Sequence, residues 1–138
     1  MKAISTKTHA LIDYAWAAVV PALPHLLRGG PTTTRLLAGT GLGTLAYSLL
    51  THYELGAFKV LPMTTHLTLD LLSGLALVAA SFALSQVTPK EQALLMGLGS
   101  FALAVALNTE TRTPALQPYR RRLDSSRTAA TLYELKHR

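Results

Sequence analysis

The sequence predicts an all-α fold: an integral membrane four-helix bundle made of two parallel helix-pair repeats. One observation is a Thr-His-x-x-x-Asp motif that begins at Thr8 and returns at Thr65, a constant offset of 57 in the numbering. A self-similar period of this size indicates a repeat architecture. A second observation is composition, because the 138 residues are 49% hydrophobic and only 14% charged. An ordinary soluble domain is about 25% charged.

The third observation is the placement of charges, which are nearly absent from four long stretches. Asp13 and Asp70 are the only formal charges within them. Crossing about 30 Å of hydrocarbon takes on the order of 20 helical residues, so each stretch predicts one span, the second and fourth with flanking polar residues included. A soluble four-helix bundle is the alternative, but its helices need a polar face, which the third stretch lacks. The stretches cover residues 10–27, 36–50, 67–84 and 93–107.

Glycine and proline mark the boundaries between the predicted helices. Pro21 and Pro24 lie inside the first helix and should kink it, because each removes a backbone donor. Thr88 followed by Pro89 is typical of a helix start and opens the fourth helix. Breaks are predicted at Gly29, Gly30 and Pro31 and around a central loop between Gly56 and Pro62. The predicted domains are a transmembrane domain at 1–110, with repeats at about 8–56 and 65–110, and a basic cytoplasmic tail at 111–138.

The positive charges are distributed unequally between the two predicted sides of the membrane. With the N-terminus in the cytoplasm, the other side holds Arg28, Arg35 and Lys90, and the remaining ten of the 13 Lys and Arg residues are cytoplasmic. The positive-inside rule therefore predicts a multi-pass protein of the cell inner membrane with both termini in the cytoplasm. No cleavable signal is predicted, because residues 1–9 are polar and the first apolar stretch carries Asp13.

Glycines in the second and fourth helices predict a close helix-helix seam. Gly39, Gly41 and Gly43 are echoed by Gly97 and Gly99, with one residue deleted relative to the offset of 57. Within lipid, apolar surface gives no drive for association, so close contact at small residues has to hold helices together. Room for a flat cofactor against the bare backbone is the alternative interpretation.

The candidate site residues are the two His-Asp pairs of the repeated motif. His9 and Asp13 are four residues apart, as are His66 and Asp70, so each pair shares one helix face. Ionisable groups within a membrane face the bundle interior and pair with each other. Both Asp residues should therefore point inward, near the pseudo-two-fold axis of the repeats.

Three interpretations of these pairs stay open. In the structural interpretation, each Asp accepts hydrogen bonds from its own His and from Thr, which orients the helix starts. In the second, two His and two carboxylates form a metal site for zinc, iron or manganese. In the third, a His-Asp pair exchanges a proton near neutral pH in a proton- or quinone-handling site. His52, Glu54 and Glu110 should lie at the same end of the bundle, and the sequence specifies no cofactor.

A family resemblance rests on the repeated motif and on the central segment 51–56 that leads to Pro62. These features resemble the SPW-repeat integral membrane proteins of bacteria, in which each repeat is a pair of transmembrane helices. The resemblance covers about residues 6–110 and implies a small membrane protein without an established activity. The naming Ser-Pro-Trp motif is degenerate here, since only Pro24 matches it.

The tail carries seven Lys or Arg residues and two acidic residues. Arg120, Arg121 and Arg122 are predicted to dock on anionic lipid head groups or on a partner subunit. Nucleic-acid binding is the rival interpretation, and it is not predicted, because lipid alone explains a basic tail beside a membrane.

The predicted function is that of a structural or accessory subunit of a larger membrane protein assembly. The predicted partners are membrane lipids and either other membrane protein subunits or further copies of the chain in a homo-oligomer. An enzyme is not predicted, because the chain has no cysteine, no nucleophile triad, no phosphate-binding glycine loop and no metalloprotease pairing of histidines. The alternative is a self-contained metal-binding or proton- and quinone-handling membrane protein that uses the His-Asp pairs at the cytoplasmic rim.

Overall fold

The computed structural model describes residues 2–111, and this part of the chain is all-helical. No strand occurs among the described residues, so the predicted all-α class is confirmed for them. The segment 112–138, most of the predicted tail, lies outside the described residues. Helix α1 is Thr6–Val19, α2 is the single turn Leu23–Leu26, α3 is Pro31–Leu50, α4 is Met63–Ala83 and α5 is Pro89–Asn108.

Two of these helices, α4 and α5, are long and apolar enough to cross a membrane by length and composition. They contain 21 and 20 residues. Only 33% of the most apolar stretch of α4 and 28% of that of α5 are buried inside the bundle, which is little for the core helix of a soluble protein.

Proline explains why the first helix is interrupted. Pro21 has no N–H, so the carbonyl of Ala17 cannot receive a helical hydrogen bond from it. The chain passes through a 3-10 turn at Val20–Ala22 before it forms α2. Arg28, with a φ of 55°, takes the left-handed conformation after this segment. Pro31 then starts α3 at a position where a missing N–H loses no hydrogen bond.

The long helices pack as two pairs, α1 with α3 and α4 with α5. Small residues bring the partners close together. A Cβ atom added to Gly99 would lie 2.7 Å from the carbonyl oxygen of Gly74, and one added to Gly41 would clash with the ring of Pro21. Each seam therefore has a point where only glycine lets the helices approach this closely.

The close contacts involve fewer glycines than the sequence pattern contains. Gly41 and Gly99 make them, together with Gly74 of α4, which the pattern did not include. The sequence separation of the two close-packed glycines, Gly41 and Gly99, exceeds by one residue the offset of 57 between the two motifs. The other three glycines, at which an added Cβ would meet no atom of another helix within 4 Å, are Gly39, Gly43 and Gly97.

The two pairs are tied together at one end of the bundle. The segment before α1 runs beside the end of α5, where Ile4 N–H donates to Asn108 O at 3.1 Å and Ile4 O accepts from Glu110 N–H at 2.9 Å. The segment before α4 runs beside the end of α3 in the same way, with Leu61 N–H donating to Leu50 O at 2.8 Å. The starts of α1 and α4 and the ends of α3 and α5 therefore lie at the same end, which we call the closed end.

At the opposite end, Glu91 ties the start of α5 to the start of α3. Its Oε2 accepts from the backbone N–H and the hydroxyl of Thr88, both at 2.8 Å. Thr88 Oγ1 accepts from the Glu91 N–H at 3.3 Å, which completes a capping box. Glu91 Oε1 also accepts from the N–H of Gly30, the N-cap residue of α3, at 2.7 Å. Backbone donors at both helix starts are thereby satisfied.

Replacing Thr88 with alanine is expected to lower the free energy of unfolding by about 1 kcal/mol, because α5 loses its N-cap. Denaturant unfolding followed by circular dichroism measures the loss. The matched control is Thr64→Ala, which changes an exposed threonine in the first turn of α4. An equal loss in both variants would contradict a specific role for the cap.

Among the described residues, 12 polar or charged residues are buried beside 10 hydrophobic ones, and many large apolar side chains are exposed. Leu42 and Phe82, for example, are each 67% exposed. A soluble domain usually buries fewer polar residues than this and exposes fewer large apolar ones. The buried polar or charged residues are Thr6, His9, Asp13, Thr33, Thr44, Ser48, Thr51, His66, Asp70, Ser81, Glu91 and Thr109.

Candidate functional site

Four ionisable side chains of α1 and α4 meet near the closed end of the bundle. His9 and Asp13 lie one turn apart on α1, and His66 and Asp70 lie one turn apart on α4. None of the four is more than 8% exposed. One nitrogen or oxygen atom from each lies within 4.8 Å of those of the other three. The structure thus brings together the four candidate residues of the repeated motif, which we call the His-Asp cluster.

The two imidazole Nε2 atoms lie at the centre of the cluster, 3.1 Å apart. His9 Nε2 is 3.0 Å from Asp70 Oδ2 on the other helix and 3.4 Å from Asp13 Oδ1 on its own. His66 Nε2 is likewise closer to Asp13 Oδ2, at 3.1 Å, than to Asp70 Oδ2, at 3.3 Å. Each His therefore lies nearer to the Asp of the opposite helix, whereas the structural interpretation of the sequence paired each Asp with its own His.

Two threonines determine which ring nitrogen of each histidine carries a proton. Thr51 Oγ1 and Thr109 Oγ1 each donate to the carbonyl four residues earlier in the chain, at 2.7 Å. A hydroxyl has one hydrogen, so each oxygen can only accept from the imidazole beside it. His66 Nδ1–H therefore donates to Thr51 at 2.7 Å, and His9 Nδ1–H donates to Thr109 at 2.8 Å. In a neutral ring, Nε2 then keeps a lone pair directed into the cluster.

Hydroxyl groups near the end of α3 orient the two carboxylates. Tyr47 Oη donates to Asp70 Oδ1 at 2.6 Å. Ser48 Oγ and Tyr53 Oη each donate to Asp13 Oδ2 at 3.2 Å. Burial raises the pKa of the Tyr53 phenol, which lies in the connection between α3 and α4, so this group keeps its hydrogen and acts as a donor.

The cluster contains more hydrogen-bond acceptors than donors. With each Nδ1–H directed to a threonine, two neutral imidazoles contribute two lone pairs, and two carboxylates contribute two negative charges. Burying each such charge costs several kcal/mol unless positive charge compensates it. Two additional protons or one divalent cation would provide that charge.

A cavity of about 20 Å³ borders the cluster on the side that faces the middle of the bundle. Trp16 and Phe101 form part of its wall, with their rings stacked at a centroid distance of 6.2 Å. The Trp16 Nε1–H is buried and has no hydrogen-bond partner among residues 2–111. The other lining residues are His9, Ile12, Asp13, Thr44, Tyr47, Asp70, Ser73, Ala102 and Val105.

No family model, curated protein or solved structure matches this chain. The resemblance to SPW-repeat proteins stays a prediction. What the cluster can do chemically is therefore inferred from its own geometry.

The other residues predicted at this end of the bundle lie outside the cluster. The Thr6 hydroxyl donates its one hydrogen to the Glu54 carboxylate, with Oγ1 lying 2.9 Å from each carboxylate oxygen. Glu110 is exposed, and the backbone N–H of His52 donates at 2.8 Å to the segment before α4. The predicted docking residues Arg120, Arg121 and Arg122 lie outside the described part of the chain.

Sequence reasoning missed the residues that orient the cluster. Thr51 and Thr109 have the same separation in sequence as the close-packed Gly41 and Gly99. Aligning the second helices with one inserted residue finds this pair. In the same alignment Tyr47 and Ser48 correspond to Val105 and Ala106, which have no hydroxyl. Comparison of the two halves of the sequence therefore does not identify Tyr47 and Ser48 as site residues.

Proposed function

We propose that this chain is a four-span integral membrane protein of two helix-pair repeats, and that its His-Asp cluster binds one divalent transition metal ion. The observation that carries the proposal is the convergence of two imidazole nitrogens and two carboxylates in one buried site. Nitrogen and carboxylate ligands in these numbers suit zinc, iron or manganese.

The distribution of side chains supports a membrane location for all four long helices. Lipid requires polar groups to be satisfied inside the bundle and accepts leucine and phenylalanine outside it. Helix α1, the 3-10 turn and α2 contain 14, 3 and 4 residues and follow one another without a gap. At about 1.5 Å for each residue, this segment is about 30 Å long, which is enough to span the hydrocarbon core.

Equivalent contacts in the two halves support the repeat. The bond from His9 to Thr109 at the end of α5 corresponds to the bond from His66 to Thr51 at the end of α3. The segments before α1 and α4 also pair with the ends of α5 and α3 in the same manner. We infer a pseudo-two-fold axis that passes between the two Nε2 atoms, along the membrane normal. This arrangement agrees with the one that the SPW-repeat resemblance implies.

The positive charges favour a cytoplasmic closed end. Lys2, Lys7 and Lys59 belong to this end, whereas Arg28, Arg35 and Lys90 belong to the opposite one. The basic tail follows α5 in the sequence, so counting its Lys and Arg residues with the closed end increases the excess of positive charge there. By the positive-inside rule, the cluster then lies about one or two helical turns below the cytoplasmic surface.

The spacing of the ligand atoms fits a single metal ion. A metal about 2.0 Å from each of four tetrahedral ligand atoms holds them about 3.3 Å apart. The Nε2 atoms are 3.1 Å apart, and the nitrogen-oxygen contacts, which use both oxygens of Asp13, lie between 3.0 and 3.4 Å. One ligand atom from each residue lies within 4.8 Å of the other three, so a bound ion would draw the farthest of them slightly inward. The Nδ1–H bonds to threonine are of the kind that orients metal-binding histidines. A divalent ion also neutralises the two carboxylates.

The first test is metal uptake by the protein purified in detergent. Its single tryptophan, Trp16, lines the cavity beside the cluster. Cu²⁺ is paramagnetic and can replace the native ion in this test. Added Cu²⁺ is expected to quench the fluorescence of Trp16 with a stoichiometry of one ion for each chain. Elemental analysis of protein isolated from its own membrane identifies the ion that is bound there.

Asp70→Asn is expected to weaken Cu²⁺ binding by about 100-fold or more, because a directly coordinating charge matters at least as much as an outer-shell group. The matched control is Glu110→Gln, which removes an exposed carboxylate at the same end. Unchanged quenching in Asp70→Asn, or equal loss in both variants, would contradict the proposed metal site. Circular dichroism checks that both variants stay folded.

Association with other membrane subunits is a second proposal, and one observation favours it. Gly39 and Gly43 on α3 and Gly97 on α5 present bare backbone that no other helix of the described part covers. Small residues at such positions allow a further transmembrane helix to approach closely. Native mass spectrometry after gentle extraction tests this role. Additional polypeptide mass is expected, and a chain that always runs alone would contradict it.

A further inference from the structure

The cavity beside the cluster exists because the two halves of the bundle differ there. Thr51 donates to the carbonyl of Tyr47, and Thr109 donates to the carbonyl of Val105, so Tyr47 and Val105 occupy equivalent places. The Tyr47 side chain reaches across to Asp70. Val105 is shorter, carries no polar group and lines the cavity. Both residues line the cavity, and the shorter Val105 leaves space beside α5 where α3 has a phenol.

One residue that lines this cavity has an unsatisfied donor. The Trp16 Nε1–H is buried and has no hydrogen-bond partner in the described part of the chain, although buried polar groups nearly always have one. Three residues of the cluster line the same cavity: His9, Asp13 and Asp70. The cavity is thus bordered both by the residue with the free N–H donor and by side chains proposed to bind metal.

The volume of the cavity sets the size of its occupant. One water molecule needs roughly 10–15 Å³ of such space. About 20 Å³ is available, which is enough for one water molecule. A polar site of this size and with these partners is one that holds solvent.

We propose that the cavity is an open coordination position of the metal centre and that it holds one exogenous oxygen ligand, a water molecule or hydroxide, which accepts a hydrogen bond from Trp16 Nε1–H. This inference rests on the proposed metal site. Structural metal sites are closed by protein ligands, whereas sites that act on small molecules keep a position for solvent. With all four side chains of the cluster bound, this oxygen would be a fifth ligand, so the tetrahedral spacing would expand to five-coordination. The centre would therefore be accessible to an exchangeable ligand through this cavity.

The test uses the full-length protein loaded with Mn²⁺ in detergent. The amount of bound Mn²⁺ is measured first. Electron paramagnetic resonance spectra are then recorded in ordinary water and in ¹⁷O-enriched water, because a directly bound oxygen-17 nucleus broadens the Mn²⁺ lines. The wild-type protein is expected to show this broadening. Loss of Mn²⁺ binding would overturn the metal site itself, whereas binding without broadening would overturn only the open position.

A substitution that fills the cavity provides the critical variant. Ala102 lines the cavity, so Ala102→Leu is expected to abolish the broadening and to retain bound Mn²⁺. The matched control is Ala104→Leu, which places the same side chain on the exposed face of α5 and should keep the broadening. Broadening that persists in Ala102→Leu with metal bound would overturn the proposal.

A second measurement does not depend on the folding of any variant. The wild-type protein has one tryptophan, so its indole N–H gives one unambiguous signal in a ¹H–¹⁵N nuclear magnetic resonance spectrum. For the zinc-loaded protein we expect a cross-peak between this N–H and water. A long-lived bound water molecule in the cavity would give rise to it. Its absence would contradict the assignment of the cavity as a solvent-binding position.

Discussion

The double substitution Thr51→Val and Thr109→Val is expected to weaken metal binding by about 100- to 10,000-fold. Each threonine accepts the Nδ1–H of one histidine and so directs the Nε2 lone pair into the cluster. Loss of such an outer-shell partner typically costs about 10- to 100-fold in metal affinity, and here two are lost. Valine has nearly the shape of threonine, so the change removes the hydroxyl and preserves the packing. Competition titration with a metal indicator measures the affinities.

The matched control for this variant is Thr68→Val. The Thr68 hydroxyl also donates to the carbonyl four residues earlier, at 3.0 Å, but it lies on the exposed face of α4, away from both histidines. Metal affinity should be unchanged in this control. If the double variant bound metal as tightly as the control, the threonines would not orient the imidazole rings. The inference that each Nε2 lone pair is directed into the cluster would then be contradicted.

The closeness of the four cluster residues was predictable because two different periodicities agree. The spacing of four residues places His9 and Asp13 on one face of α1, and the offset of 57 repeats this face on α4. An ionisable face within an apolar segment has to point inward. These two constraints together predict that the four side chains meet.

The closer approach of each histidine to the aspartate of the opposite helix was not predictable in the same way. Whether His9 lies nearer to Asp13 or to Asp70 depends on sub-ångström differences in how α1 and α4 face each other. Helical spacing favours the intrahelical pair, since residues four apart are always neighbours. Tertiary packing decides otherwise, and the pattern of one helix contains no information about that packing.

The glycine seam shows a related limit of sequence reasoning. A pattern of alternating glycines predicts that a face of α3 comes close to another helix, but successive glycines point in different directions around the helix. Gly41 faces Pro21 of the 3-10 turn that follows α1, whereas Gly39 and Gly43 face outward. The counterpart of this contact in the other half requires Gly74, which stands alone in α4. Only the helix crossing points identify which glycines are needed.

Replacing Gly99 with valine is expected to lower the free energy of unfolding by about 3 kcal/mol or more. The added Cβ would lie 2.7 Å from the carbonyl oxygen of Gly74 and 2.9 Å from the backbone nitrogen of Val78. These are backbone atoms of α4, so they cannot move aside as a flexible side chain would. The helices have to separate, and overpacking of this kind typically costs about 1–3 kcal/mol, occasionally more. Unfolding in a denaturing detergent, followed by circular dichroism, measures the loss.

The control for this prediction is Gly97→Val, which makes the same chemical change two residues earlier in α5. An added Cβ at Gly97 meets no atom of another helix in the described part of the chain within 4 Å, so its effect on unfolding should stay within about 0.5 kcal/mol.

The same pair of variants also tests the link between the seam and the metal site. Because α5 also carries the chain to Thr109, separation of α4 from α5 should draw that hydroxyl away from His9. Gly99→Val is therefore expected to weaken metal binding, whereas Gly97→Val is not. Equal stability of the two variants would show that the α4–α5 seam tolerates a side chain at its closest point. If Gly99→Val were stable but bound metal more weakly, the seam would matter more for the metal site than for the stability of the fold.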